Sequence, residues 1–276
     1  MKGKVFTVHH RMPEHYVASE TFVPFLTGVA LGGHPDILTD EAGISIAQKH
    51  SYCEMRAQYH VWKNRPADFD YVGFQHYRRW FLFPWMLKSA RIPGLRRPLV
   101  LYLRYHPIVS IAQIDAAAFR SYLAFLKGLD DQEVARLWER LAQFDLIVPR
   151  PLRFGGATLR TQYGRTHASG DWNALEHALA RIARFRDSAG TRAVDLRALY
   201  ACNIYIMRAE IFGDYMQFWH EVTQRLEKTL VISQDPYQSR VFGFLSERIF
   251  TIYLHHLRLE RPKLRVLELP LLLARS

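Results

Sequence analysis

Short apolar, β-rich runs that alternate with helical patterns constrain this chain more than any other feature. Val5 to Val8, Phe69 to Gln75, Phe144 to Pro149 and Cys202 to Met207 read as buried strands, with a last one at Leu264 to Leu267. Between them the apolar spacing turns helical over 46–64, 114–127, 130–143, 171–186 and 209–227, and again from Asp235 to Leu257. Strands alternating with helices predict an α/β fold whose central sheet is mainly parallel and flanked by helices. Such sheets bind ligands outside the carboxyl ends of their strands. The rule singles out three places: Thr7-Val8-His9-His10, His76-Tyr77-Arg78-Arg79, and Asn203 with the loop around Arg208.

Composition narrows the function classes. A chain of 276 residues that is 49% hydrophobic and 23% charged is globular material, which excludes disorder, collagen-like repeats and coiled coil. Lys plus Arg at 37 against Asp plus Glu at 26 gives a net charge of +11 and calls for an anionic partner: a phosphate-bearing small molecule, an acidic membrane face or nucleic acid. Cys53 and Cys202 make no disulfide framework and no zinc spacing, so they read as small core residues in a reducing compartment. No 18-residue apolar stretch exists; the longest candidate, Trp80 to Leu87, is broken by Pro84. The N-terminus runs straight into a strand, which leaves no room for a secretory signal. The expectation is a cytoplasmic protein, soluble or peripheral on the inner face of the membrane.

Several residues invite chemistry, each with a bland counterpart. Two guanidiniums and an imidazole at His76 to Arg79 can clamp a diphosphate through charge-assisted hydrogen bonds, or they form a surface basic turn paired with carboxylates. His9-His10 is either part of a ligand site or a polar strand exit. On the last helix Val241, Phe242, Leu245, Ile249 and Ile252 share one arc, while Arg240, Gly243 and Glu247 share the opposite one. A glycine inside a helix costs about 1 kcal/mol against alanine, and a ligand pressed on that face would explain it. The alternative is an exposed face with an Arg–Glu pair. Asp235 and Gln238 read as a capping box with Pro236 at the first helical position. The stretch 150–170 reads as loop. The segment 82–112 is an aromatic, basic insert carrying Lys88, Arg91, Arg96, Arg97 and Arg104, a composition suited to a membrane interface more than to nucleic acid. None of the 13 histidines falls in a zinc pattern, and Asp68-Phe-Asp70 precedes its strand rather than ending it.

In this order the pieces resemble a bacterial glycosyltransferase-like family, domain of unknown function 4422, of capsule and O-antigen polysaccharide synthesis. The resemblance rests on Thr7-Val8-His9-His10, Pro24 to Gly28, Asp40 to Ile46, Tyr52 to Arg56 and Trp62-Lys63-Asn64. It is most specific at Tyr71-Val-Gly73-Phe-Gln-His76-Tyr77-Arg78-Arg79-Trp80-Phe81 and from Tyr237 to Arg248. It departs at Ile44-Ser45, where the family has Asp-Asn, and in the length of 82–112. The resemblance implies a single GT-A-like nucleotide-sugar-binding domain over 1–276, with 82–112 contacting acceptor or membrane. It implies a hexosyltransferase moving a sugar from a UDP-sugar, UDP-galactofuranose among them, to a polysaccharide or polyprenyl-diphosphate-linked glycan, with inversion. Glu247 is the expected base, its rival role being a salt bridge to Arg78 or Arg240, with His76 beside it as the second catalytic residue. Thr7, His9, Asp40, Glu54, Tyr77, Arg78, Arg79, Asn203, Arg240 and Arg248 are the expected donor-binding residues. No metal ligands are assigned, and Mn or Mg is the less favoured option beside a cationic clamp. The contrasting reading is a non-catalytic basic protein on an anionic membrane or nucleic acid, although no nucleic-acid motif accompanies the basic residues.

Overall fold

The first apolar run forms strand β1, Gly3–His9, and the second forms β4, Tyr71–His76; they lie side by side and parallel, with Val8 opposite His76. The computed structural model describes residues 2–28, 34–64, 69–87, 92–93, 110–186 and 195–275. β2 (Phe22–Leu26) and β3 (Leu38–Thr39) extend the sheet in parallel beyond β1. On the other side of β4 come β10 (Tyr205–Arg208), β7 (Leu146–Pro149) and β11 (Val266–Leu269), giving the order β11-β7-β10-β4-β1-β2-β3. β7 and β11 are parallel to each other, but β10 runs antiparallel to both β4 and β7. A side branch joins β5 (Arg79–Phe81), β6 (Ile111–Ile114) and β12 (Leu271–Ala274), completing ten strands. β8 (Leu152–Arg153) and β9 (Ala198–Leu199) form a separate ribbon.

Period-2 alternation divides the core between the two sheet faces. Phe6, Phe74, Tyr205 and Met207 face one side with α5 (Ser169–Ala180), α6 (Ala183–Arg186), α7 (Ala209–Leu226) and α8 (Val241–Glu260). Val5, Tyr71, Trp80 and Ile206 face the other with α2 (Ala116–Lys127) and α3 (Asp131–Leu141). Burying one such aromatic or aliphatic side chain is worth about 1.5–3 kcal/mol. Gly73 permits the close approach of β10, since a Cβ there would meet Ile206 Cγ1 at 2.7 Å. Side-chain caps fix helix starts: Asp115 accepts from the Ala118 N–H at 2.8 Å, and Asp130 with Glu133 forms a full capping box.

Four expectations change. The helix predicted from Ile46 starts at Met55 (α1, Met55–Asn64), after a 3₁₀ turn at His50–Tyr52, because Cys53 takes φ 51° and breaks the spiral. The stretch 150–170 is not loop: it holds β8, α4 (Leu159–Thr166) and the start of α5. On α4 Leu159 and Tyr163 are the buried side chains, too few to show a period. The capping box at Asp235 does not form. Asp235 Oδ1 accepts from the N–H groups of Tyr237 and Gln238, but the Gln238 side chain donates to the Thr166 carbonyl. A short 3₁₀ turn over Gln238–Arg240 then precedes α8. Last, the start of the insert is core, with Leu82, Phe83 and Leu87 buried; Lys88, Arg91, Arg96, Arg97 and Arg104 lie outside the described residues. No helix among the described residues is long and apolar enough to cross a membrane.

Candidate functional site

Parallel pairing ends β1 and β4 at the same level, so His9-His10 and His76-Tyr77-Arg78-Arg79 meet at one rim of the sheet. A cleft of about 430 Å³ opens there. Its walls are His9, His10, His76, Tyr77, Arg78 and Arg79 from the strand ends, with Thr27, His50, Cys53, Glu54, Arg56 and Arg240 opposite. Because β10 is antiparallel, its amino end delivers Asn203 to this rim. Arg208 is carried to the far end of the sheet, where its Nε donates to Asp145 at 2.9 Å. The third place that the carboxyl-end rule marked is therefore half right, for a reason of strand direction.

The cleft is cationic and poorly satisfied. His9 Nε2, His76 Nδ1, Arg78 Nε and Arg79 Nε are buried without a hydrogen-bond partner. Neither Arg78 nor Arg79 makes an ion pair among the described residues, so the basic turn is not neutralised by carboxylates. Burial, reinforced by His10, pushes His9 down to about 4. Burial and then Arg79, His10, Arg78 and His9 hold His76 well below the usual histidine range. Tyr77 packs on His76 with centroids 4.4 Å apart and on His10 at 4.8 Å, and Arg78 lies 5.5 Å above its ring.

Opposite stands an acidic layer built through a tight turn. Glu54 Oε1 accepts from Asn203 Nδ2 at 2.8 Å, and burial, with Glu247 nearby, raises its carboxyl pKa. Cys202 and Asn203 hold φ of 75° and 49°, a conformation that costs non-glycine residues of order 1–3 kcal/mol. Glu247 helps to hold it, since its Oε1 accepts the Cys202 N–H at 2.6 Å. Its Oε2 accepts from Arg248 Nη1 at 2.7 Å. Glu247 therefore does not line the cleft, and its ion pair is with Arg248 rather than with Arg78 or Arg240. Arg248 is buried with Gln162 and the Phe244 carbonyl, its guanidinium 5.2 Å from the Tyr163 ring centre, and does not reach the cleft. Gly243 is explained by packing: a Cβ there would meet Cys53 Sγ at 2.8 Å, and Asn203 Nδ2 also donates to its carbonyl. Burial pushes the Cys53 thiol up to about 11 and the Cys202 thiol up to about 12, so neither is a thiolate at neutral pH.

Of the sequence candidates, His9, Glu54, His76, Tyr77, Arg78, Arg79 and Arg240 line one cleft, with Asn203 directly behind Glu54. Thr7 is turned inward and accepts from Gln75, and Asp40 is buried, accepting the Gly28 N–H at 2.8 Å. Among the described residues no three His, Cys, Asp or Glu side chains are grouped so that they could hold a metal ion. Asp70 sits at the amino end of β4, accepting the Lys2 N–H, on the opposite rim from the cleft. Sequence reasoning missed Arg56. This guanidinium is 6% exposed and donates to the Cys53 and Ala47 carbonyls and to Thr27 Oγ1, with His50 Nδ1 3.2 Å away. Gly28, at φ 67°, leaves the space that Arg56 Nη1 occupies. The available signal was an arginine between Met55 and Ala57 on a helix whose neighbours are apolar, within a motif that also held Glu54.

The family model for a domain of unknown function, DUF4422, matches residues 4–258. Among solved structures, the chain is similar to the apo structure of the WbbM bifunctional glycosyltransferase, with a TM-score of 0.77 and 25% identity. The match covers 100% of this chain and 46% of that one, so the chain spans about half the length of that neighbour. No curated protein matches.

Proposed function

The chain belongs to the DUF4422 family, and from that premise we propose that it is a glycosyltransferase, moving a hexosyl group from a nucleoside-diphosphate donor, a UDP-sugar, to a glycan acceptor. The observation that carries this reading is the pair Arg78 and Arg79 at the carboxyl rim, cationic, with buried Nε atoms that have no partner among the described residues. A diphosphate supplies the acceptor oxygens that those donors lack, in the charge-assisted geometry guanidinium favours. The likeness to half of a bifunctional glycosyltransferase supports the reaction class.

In the mechanism, Arg78, Arg79 and Arg240 hold the diphosphate and take up the charge that develops as it leaves. Glu54 is the general base. It is the carboxylate among the residues that line the cleft, and its raised pKa suits proton transfer from an acceptor hydroxyl near neutral pH. This reassigns the base from Glu247, whose two oxygens are already engaged. Glu247 instead positions: it fixes the Cys202–Asn203 turn, and Asn203 fixes Glu54. In-line attack with the diphosphate departing from the opposite face gives inversion. A lipid-linked acceptor and docking on an anionic membrane rest on the basic residues between 88 and 104.

Thermal stabilisation by a panel of nucleotides and nucleotide sugars, run with manganese and with a chelator, tests the reading. UDP or a UDP-sugar should raise the melting midpoint of the protein and leave an Arg78→Ala/Arg79→Ala variant unmoved. A flat panel beside clear binding to anionic vesicles would overturn it in favour of a non-catalytic surface protein.

A further inference from the structure

Resting on the diphosphate reading above, we propose that the imidazoles of His9, His10 and His76 are a proton-loaded part of the anion site: uncharged in the empty cleft, they take up a proton from solvent as the diphosphate enters and return it as the nucleotide leaves. Three rings surround one phenol. Tyr77 has His76, His10 and His9 at centroid distances of 4.4, 4.8 and 6.2 Å. None of the three pairs with a carboxylate among the described residues. His9 Nε2 and His76 Nδ1 are buried and free of partners.

The groups facing these rings come from every surrounding element. Arg11 follows β1, Arg78 lies in the turn after β4 and Arg79 opens β5, His50 and Arg56 come from the 3₁₀ turn and α1, and Arg240 precedes α8. Tyr77 and Cys53 are the remaining titratable neighbours, and Glu54, held by Asn203, is the acid across the cleft. Guanidiniums facing an imidazole disfavour its charged form before the anion arrives. Burial acts in the same direction, which is why His9 and His76 sit low in the empty protein.

A bound diphosphate opposes that field, because its two or three negative charges offset part of the neighbouring positive charge and favour the protonated imidazole. Protonation also changes the valence of the site. A neutral imidazole offers one N–H donor, whereas the imidazolium offers two, so the unpartnered nitrogens of His9 and His76 become donors to phosphate oxygens. The charge balance of transfer strengthens the effect. The donor carries a doubly esterified diphosphate, and the product nucleotide carries one further negative charge, while the acceptor hydroxyl gives its proton to Glu54. The product therefore holds the imidazole proton more tightly than the donor does, and releasing the nucleotide releases the proton.

Calorimetric titration of the whole chain with UDP at pH 7.0, in buffers of different ionisation enthalpy, reads the proton count directly. Between about half a proton and one proton should be taken up per UDP. UDP affinity should also rise as pH falls, by up to about tenfold per pH unit for one proton. The nucleotide cannot mimic this, since its terminal phosphate ionises near ~6 and binding to cations would make it release protons. His10→Gln, on an exposed side chain, and His9→Gln/His76→Gln should each lower the count while leaving UDP binding measurable. If the double variant does not fold, the unmodified protein still decides. Binding of UDP with zero exchange, or with net release, overturns this inference and leaves the donor site standing. No UDP binding between pH 6 and 8 overturns both.

Discussion

The two ends of the central sheet use the same residue types to opposite purposes. At the amino end Asp145 receives Arg208 Nε at 2.9 Å, Arg265 Nη2 at 3.0 Å and the Arg265 N–H at 2.9 Å, while Arg208 lies 5.2 Å above the Tyr71 ring. At the carboxyl end Arg78 and Arg79 have no carboxylate partner among the described residues, and imidazoles crowd against them. Native proteins satisfy buried polar groups almost everywhere, so a cluster of exceptions at one rim marks where something else must complete it. Charge at the amino end holds the fold together. Charge at the carboxyl end is held ready by the fold.

The sharpest way to break that contrast is at Glu54. Glu54→Gln keeps the hydrogen bond from Asn203 within reach but removes the base, so turnover should fall about 10²–10⁴-fold while UDP binding is retained. Full activity in a transfer assay would return the base to another residue. Next in size, Arg78→Ala/Arg79→Ala should weaken UDP binding by at least about 100-fold, from two charged hydrogen bonds at about 1.5–3 kcal/mol each. The melting midpoint of the empty variant should not fall, because no ion pair among the described residues is lost. A substantial fall would show that the two arginines are structural.

Asp145→Asn is the mirror experiment and a smaller effect. Burial alone would raise this carboxyl, but the hydrogen bonds from Arg265 and then Arg208 override it and hold it down at about 2. Its stabilising contribution is full above the unfolded value near 3.9 and is lost as pH falls through 2. The shift, discounted for partial exposure, is worth about 1–2 kcal/mol at neutral pH. Urea unfolding at pH 7 should show that loss and transfer activity per folded molecule should not change; at pH 2 the two proteins should converge.

The same contrast explains what could be read from the chain in advance. β1, β4 and β7 announce themselves because each is a continuous apolar run, and α7 because Ile211, Tyr215, Trp219, Val222 and Leu226 repeat at helical spacing. The cationic rim was legible too, since a strand ending in His76-Tyr77-Arg78-Arg79 places charge where parallel sheets bind ligands. Strand direction was not. Nothing in Tyr205–Arg208 says that β10 runs antiparallel, yet that is what brings Asn203 to the cleft and sends Arg208 to Asp145. β5, β6 and β12 are three or four residues long and exist through partners far along the chain, so they leave no local pattern. The motif around Glu247 and Arg248 was conspicuous for its sequence. Its chemistry is that of a buried brace behind the cleft, which side-chain spacing on one helix cannot distinguish from a reactive group.

Two helix glycines test how firmly that brace is coupled to the site. Gly213 in α7 has nothing within 4 Å of the position a Cβ would take, whereas at Gly243 in α8 the Cβ would meet Cys53 Sγ at 2.8 Å and Cys53 Cβ at 3.0 Å. Gly213→Ala should therefore stabilise by up to about 1 kcal/mol, through helix propensity and a less flexible unfolded chain, without touching activity. Gly243→Ala should destabilise by about 1–3 kcal/mol through overpacking. It should also lower turnover, because Cys53 immediately precedes Glu54 and already sits at φ 51°. Cys53→Gly in that background removes both obstructing atoms and suits the positive φ, so it should restore stability and turnover together. Recovery of stability alone would show that the turn tolerates the displacement and that Glu54 is positioned by Asn203 without help from α8. Gly243→Ala with wild-type midpoint and turnover would show that the Cys53 turn yields freely, and the brace would then carry no part of the catalytic geometry.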